Sequence, residues 1–173
     1  MKKFFAVLMA VLLTFTVCGC DFLKDVSDMA QNEVAQAKTF EFDGLSIDLT
    51  TDFMRMNFVD EDYDFIVGTG ELTIMGEKWL NSDTGLEEFT ASEFAEYHRF
   101  LLEKANPTEL TDLQGIPTLQ YETTGDDGAV IKAAVMYYKS TDGFWLVTFA
   151  GNSDDFEKAY NDICVYAQSV NIK

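Results

Sequence analysis

The run FWLVTFA at residues 144–150 is apolar on both of the faces that a β-strand presents. Side chains alternate between the two faces of a sheet, so a strand with apolar residues on both must be covered on both sides. Residues 133–138 (AAVMYY) are also largely apolar on both faces. These two runs predict central strands of a sheet that lies between two outer layers.

Further strand patterns flank this central pair. Residues 40–49 (FEFDGLSIDL) alternate apolar and polar residues around Asp43-Gly44, which predicts a half-buried antiparallel hairpin. Residues 169–173 predict a last strand that closes the sheet. The other predicted strands are residues 63–69, 71–80, 119–124 and 129–139, and turn-forming residues occupy 81–85.

Two helices are predicted. The first covers residues 89–105, because Thr90 and Glu93 have the spacing of a capping box. The second runs over about residues 154–167, with acidic residues in its first turn. The predicted core stripes are Phe94, Tyr97, Leu101 and Ala105 in the first helix, and Phe156, Tyr160, Ile163 and Ala167 in the second.

These elements predict one α+β domain in which an antiparallel sheet is sandwiched by helices, as a three-layer α/β/α arrangement. The chain has 173 residues, of which 47% are hydrophobic, so it can bury a core. Its 30 acidic residues exceed its 12 basic ones, and the net charge is −18. Such a charge argues against nucleic-acid binding, which depends on clustered Lys and Arg.

The N-terminus carries a targeting signal. Two lysines precede the uncharged residues 4–17, a run shorter than the ~20 residues that a membrane-spanning helix needs. Residues 17–20 (VCGC) resemble a bacterial lipobox, which makes Cys20 the lipidated residue and residues 1–19 the signal peptide. An ordinary cleaved signal peptide and a short uncleaved anchor are the alternatives.

The mature chain is predicted to stand on the outer face of the cytoplasmic membrane. Residues 20–38 read as the lipidated cysteine with a partly helical tether, and residues 39–173 as the folded domain. Cleavage removes two of the twelve basic residues and no acidic one, which leaves ten against thirty and a net charge of −20. An anionic leaflet repels such a domain. A Gram-positive surface and a periplasmic inner membrane both remain open.

The order of the elements resembles the PsbP-like superfamily, whose fold is shared with a eukaryotic Ran-binding import factor, and especially its uncharacterised Gram-positive lipoproteins. The residues that carry the resemblance are the hairpin at 40–50, the strand at 144–150, and the closing AQSV at 167–170. The resemblance covers about residues 39–173. It implies the three-layer fold and an interaction module rather than an enzyme, and it supplies no catalytic residues.

No catalytic constellation is visible in the sequence, and no cofactor is expected. His98 is the only histidine, beside the core stripe of its helix, and we interpret it as a structural or surface residue. Cys164 lacks basic neighbours that would lower its pKa, so we interpret it as a half-buried structural thiol.

One stretch has the spacing of a calcium-binding loop. Such a loop needs glycine at position 6 for its sharp turn, and Phe65 stands there, so an EF-type site is disfavoured. A looser surface cation site remains an alternative. Its candidate ligands are Asp60, Asp62, Asp64 and Glu71.

The function expected from the sequence is that of a lipid-anchored, extracytoplasmic, non-enzymatic binding or accessory domain. The membrane is one partner, through the lipid on Cys20, and the acidic surface suits a protein partner with a basic surface. The alternatives are a hydrolase with acidic residues in a cleft and a lipoprotein that binds a small ligand or cation. The oligomeric state is open.

Overall fold

The computed structural model describes residues 37–56, 63–102, 107–108, 110–125 and 128–173. The predicted signal peptide, Cys20 and the tether up to residue 36 lie outside these residues. Ala37 and Lys38, assigned to the tether from the sequence, already belong to the first strand. Among the described residues, no helix has both the length and the hydropathy needed to cross a bilayer.

The described chain forms ten strands and three helices. The strands are β1 (Ala37–Phe42), β2 (Leu45–Thr50), β3 (Met54–Arg55), β4 (Phe65–Gly68), β5 (Leu72–Leu80), β6 (Thr111–Leu113), β7 (Ile116–Thr124), β8 (Val130–Lys139), β9 (Gly143–Asn152) and β10 (Asn171–Ile172). The helices are α1 (Asn81–Thr84), α2 (Ala91–Leu101) and α3 (Ser153–Ser169).

Seven strands form the main sheet, in the order β3-β4-β5-β9-β8-β7-β6 with antiparallel pairing throughout. β9 lies at its centre between β5 and β8, and its residues from Gly143 to Ala150 are all buried. The prediction that residues 144–150 and 133–138 are central strands is therefore confirmed.

A second sheet of three strands, in the order β1-β2-β10, packs with α3 against one face of the main sheet. The predicted hairpin is present, with Phe42 opposite Leu45 and Asp43-Gly44 as the turn. The last strand was expected in the main sheet, but Asn171 and Ile172 pair with β2 instead. One outer layer thus consists of α3 and the three-stranded sheet. The expected α/β/α arrangement holds only for the opposite layer, which α2 forms.

Residues 81–84 of the predicted turn form the single helical turn of α1. Gly85 ends this helix, with its backbone in the left-handed region. The helix predicted over residues 89–105 is shorter than expected, since α2 ends at Leu101. The second predicted helix is confirmed as α3, with Phe156, Ile163 and Ala167 buried as expected.

The core of the α2 layer differs from the predicted stripe. Tyr97 is 42% exposed, and the residues that α2 and its C-cap bury are Phe94, Ala95, His98 and Leu102. Phe94 belongs to both stripes, so the helix is rotated from the expected orientation by less than one residue, which would be ~100°. Ala105, the last residue of the predicted stripe, lies outside the described residues. A histidine takes the place in the core that the sequence pattern assigned to a tyrosine.

Candidate functional site: a groove on helix α2

Of the four residues predicted as cation ligands, the two that the structure describes lie apart from each other. Asp60 and Asp62 lie outside the described residues, and Asp64 and Glu71 lie beyond opposite ends of β4. The four residues of β4 alone separate them by roughly 13 Å, at ~3.3 Å per residue. One carboxylate oxygen of Asp64 also accepts the backbone N–H of Lys78 at 2.7 Å. Within the described ranges, no three His, Cys, Asp or Glu residues are grouped as a metal site would require.

A concave surface lies instead beside α2, on the solvent side of the helix. We call it the α2 groove, and its volume is about 440 Å³. Two turns of α2 form one wall, and the chain that enters β6 forms the other. The residues that line the groove are Phe89, Ser92, Glu93, Glu96, Tyr97 and Leu110.

Aromatic side chains give the α2 groove its apolar character. The rings of Phe89 and Tyr97 meet edge to face, with centroids 6.5 Å apart and planes at 89°. Phe100 lies one turn further along the helix and is 73% exposed. Large apolar side chains this exposed, beside a concave surface, are typical of contact sites.

The start of α2 is held by a complete capping box. The backbone N–H of Glu93 donates to the Thr90 hydroxyl at 3.2 Å, and the backbone N–H of Thr90 donates to the Glu93 carboxylate at 2.8 Å. These bonds lower the pKa of Glu93, the backbone bond from Thr90 contributing most. A cap of this kind stabilises a helix by about 1 kcal/mol. Glu93 is therefore charged and held in place at the rim of the groove.

The buried face of α2 is fixed by ring packing. Phe94 is fully buried and stacks on Phe144 of β9, with centroids 4.2 Å apart. Trp79 of β5 meets both Phe94 and His98 edge to face, each at 5.5 Å. Because these contacts fix the rotation of the helix, Tyr97 and Phe100 are held towards solvent.

His98 is part of the core and 5% exposed. Its Nδ1 shares a hydrogen bond of 2.7 Å with the hydroxyl of Tyr137 on β8. Burial lowers the pKa of His98 to about 4, and burial raises the pKa values of Tyr137 and Tyr121. All three groups are therefore neutral near pH 7. The interpretation of His98 as a structural residue agrees with this environment.

The chemistry available in the α2 groove is that of binding. Glu93 is engaged by Thr90, and Glu96 accepts the Arg99 Nε at 2.7 Å. The two carboxylates follow one another along a single helix and do not face each other across a cleft, as a glycoside hydrolase requires. Cys164 is half-buried, as predicted, and burial raises the pKa of its thiol, which disfavours a nucleophilic role.

Sequence reasoning missed the α2 groove, although part of its signal was present. Phe89, Tyr97 and Phe100 are three aromatic residues on or next to the same helix. The sequence does not show which of them is turned outwards, since that depends on the rotation of α2 against the main sheet.

Comparisons with known proteins identify solved structures of similar fold. No family model and no curated protein matches the chain. Solved structures do match, and one is the solution structure of cyanobacterial PsbP (CyanoP) from Synechocystis sp. PCC 6803. It has 12% identity and a TM-score of 0.47, over 83% of this chain and 96% of that one.

Two further solved structures are similar. LpqN of Mycobacterium tuberculosis, which is involved in cell envelope biogenesis, has 10% identity and a TM-score of 0.49 over 86% of this chain and 96% of its own. A crystal structure from Bacteroides thetaiotaomicron VPI-5482 has 6% identity and a TM-score of 0.53 over 80% of this chain, which spans 48% of that one. Likeness at these identities concerns the fold alone, and the resemblance to the PsbP-like superfamily stays a prediction from the sequence.

Proposed function

We propose that the protein is a lipid-anchored, extracytoplasmic accessory domain without enzymatic activity, which binds another protein through the α2 groove. The anchor is the lipid on Cys20. Two or three acyl chains are enough to hold a protein stably on a membrane. The tether ends at β1 and presents the folded domain to the space outside the membrane.

The observation that carries the binding role is the exposure of Tyr97 and Phe100 beside an apolar concavity. Both residues are held on a rigid helix whose other face is packed in the core. Aromatic anchors of this kind dominate the energetics of protein interfaces, because they bury large areas with little loss of side-chain freedom.

The charge of the domain selects a partner with a basic surface. Every described basic side chain already contacts a carboxylate, a carbonyl oxygen or a ring of the same chain. The excess negative charge is thus left to meet an external partner. These basic residues are Lys38, Arg55, Lys78, Arg99, Lys132, Lys139, Lys158 and Lys173.

Lipidation is tested by labelling cells with a palmitate analogue. We expect the wild-type protein to be labelled and Cys20→Ala to lose the label and leave the membrane fraction. Cys18→Ala is the matched control and should keep both, since Cys18 is removed with the signal peptide. A Cys20→Ala protein that is still labelled would overturn the anchor.

Partner binding is tested with a photo-crosslinking amino acid at position 100 in intact cells. We expect one discrete crosslinked product, and we expect Tyr97→Ala to reduce it strongly, because truncating an interface anchor costs more than ~1 kcal/mol. Position 165 is the control, since Val165 is also well exposed, at 64% against 73% for Phe100, but lies on α3. No product at position 100, or the same product at both positions, would contradict the proposal.

A further inference from the structure

We infer that the α2 groove recognises an arginine side chain, presented by an extended basic segment of the partner protein. This inference rests on the proposed function, and it adds the chemical identity of the group that the groove binds.

The walls suit a side chain that is apolar along its length. Phe89 and Tyr97 stand perpendicular to each other, and Leu110 lies opposite the helix. The aliphatic stem of arginine packs on such surfaces while its charged end stays in contact with water. The planar guanidinium also stacks on aromatic faces, a contact that the ammonium of lysine makes less well.

The rim suits a positive group with several hydrogen-bond donors. Glu93 and Glu96 place two carboxylates at the edge of the aromatic walls, and the Ser92 hydroxyl lies on the same turn. Glu93 is kept ionised by its capping bonds. A guanidinium presents its donors in a fixed fork that matches carboxylate oxygens.

Glu96 already binds a guanidinium within the chain. Its Oε2 accepts the Nε of Arg99 at 2.7 Å, and both side chains are more than 40% exposed. An exposed pair of this kind contributes little to stability. An incoming arginine can therefore share Glu96 with Arg99 or displace it at small cost.

The surroundings disfavour an anionic ligand. Besides Arg99, Lys139 is a described cation beside the groove, and its ammonium donates to the carbonyl oxygens of Glu87 and Phe89 at 3.0 and 2.7 Å. Glu87 and Glu88 are exposed just before Phe89. An acidic segment would meet four carboxylates here, so a basic segment is the complementary one.

The test uses the full chain and four labelled peptides that differ at one position. Each is a blocked Gly/Ser decapeptide with a central Leu-X-Leu, in which X is arginine, lysine, norleucine or glutamate. Fluorescence anisotropy at low ionic strength should rank arginine first, lysine second, norleucine third and glutamate last. We expect arginine to bind about five-fold more tightly than norleucine, the sum of an exposed ion pair and a cation–π contact.

Two variants assign the effect to the groove. Glu96→Gln should bring the arginine-to-norleucine ratio below about two-fold without changing the norleucine affinity. Tyr97→Leu should weaken the arginine peptide about three-fold. Val165→Ala on α3 is the control and should change nothing. Equal affinity for arginine and norleucine, an unchanged ratio in Glu96→Gln, or complete competition by free spermine would each overturn the inference.

A failure of the inference about arginine can be distinguished from a failure of the proposed function. The crosslink at position 100 depends on a partner and not on arginine. If the crosslink forms while the peptides show no arginine preference, the groove binds a partner by another chemistry and only this inference falls. If the crosslink is absent, both the proposed function and the inference about arginine are wrong.

Discussion

Replacing Gly76 with alanine should destabilise the domain by about 3 kcal/mol, which lowers the melting temperature by about 10 °C. Gly76 lies in β5, directly opposite Phe65 of β4. A Cβ at position 76 would fall on the ring of Phe65, well inside van der Waals distance. The glycine is therefore required by the ring that covers it, with no special backbone conformation involved.

The ring of Phe65 cannot move aside cheaply. It is buried, it stacks on Phe42 of β1 with centroids 3.8 Å apart, and Trp145 lies 6.1 Å away on another side. Displacing it would disturb the contact between the main sheet and the three-stranded sheet. Urea denaturation followed by circular dichroism measures the change.

A double-mutant cycle separates this clash from a general effect of alanine. In a Phe65→Leu background, where the ring is gone, Gly76→Ala should cost less than about 1 kcal/mol. An equal cost in both backgrounds would show that the ring is not the cause, and the interpretation of Gly76 would be wrong.

Acid should destabilise the domain through His98 by about 3 kcal/mol between pH 6.5 and pH 4. Burial lowers the pKa of His98 from its ordinary 6.5 to about 4. Between these two values the unfolded chain binds a proton at this histidine and the native state does not. Stability from this group is therefore full above pH 6.5, declines as the pH falls, and changes no further below about pH 4.

The groups that face His98 reinforce this direction. The hydroxyl of Tyr137 is hydrogen-bonded to Nδ1 of His98, and the rings of Trp79 and Phe94 pack against the imidazole. None of these groups supplies a negative charge to a protonated imidazole, so a charge at this point is poorly solvated.

Carboxylates titrate in part of the same range, so the measurement needs a matched variant. His98→Gln removes the titration and keeps a polar side chain of similar size. We expect wild type to be the more stable protein at pH 7 and to lose about 3 kcal/mol of that advantage by pH 4. Parallel stability curves for the two proteins would show that His98 does not contribute to the acid response.

Periodic patterns of apolar residues in the sequence predicted the central strands and the first hairpin. The central positions of β8 and β9 follow from runs that are apolar on both faces, and the β1–β2 hairpin follows from alternation around Asp43-Gly44. The capping box at Thr90 and Glu93 is also local, and it forms as predicted. Each of these features is determined within about ten residues.

The features that were missed depend on contacts between distant residues. The pairing of β10 with β2 joins segments about 125 residues apart, and no local pattern distinguishes the edge of one sheet from that of another. The rotation of α2 is set by Trp79, Tyr137 and Phe144, which lie on three different strands. Because they bury His98, they also turn Tyr97 outwards and create the candidate site.

The three-stranded sheet determines when the domain can finish folding. β2 needs β10 as its second neighbour, and the backbone N–H of Lys173 donates to the carbonyl oxygen of Gly44 at 3.0 Å. β10, the last strand of the described domain, therefore completes a layer whose other strands are the first two. Until β10 is in place, one edge of β2 stays unpaired, and an unpaired edge attracts other strands. The domain thus remains open to mispairing until β10 has paired with β2.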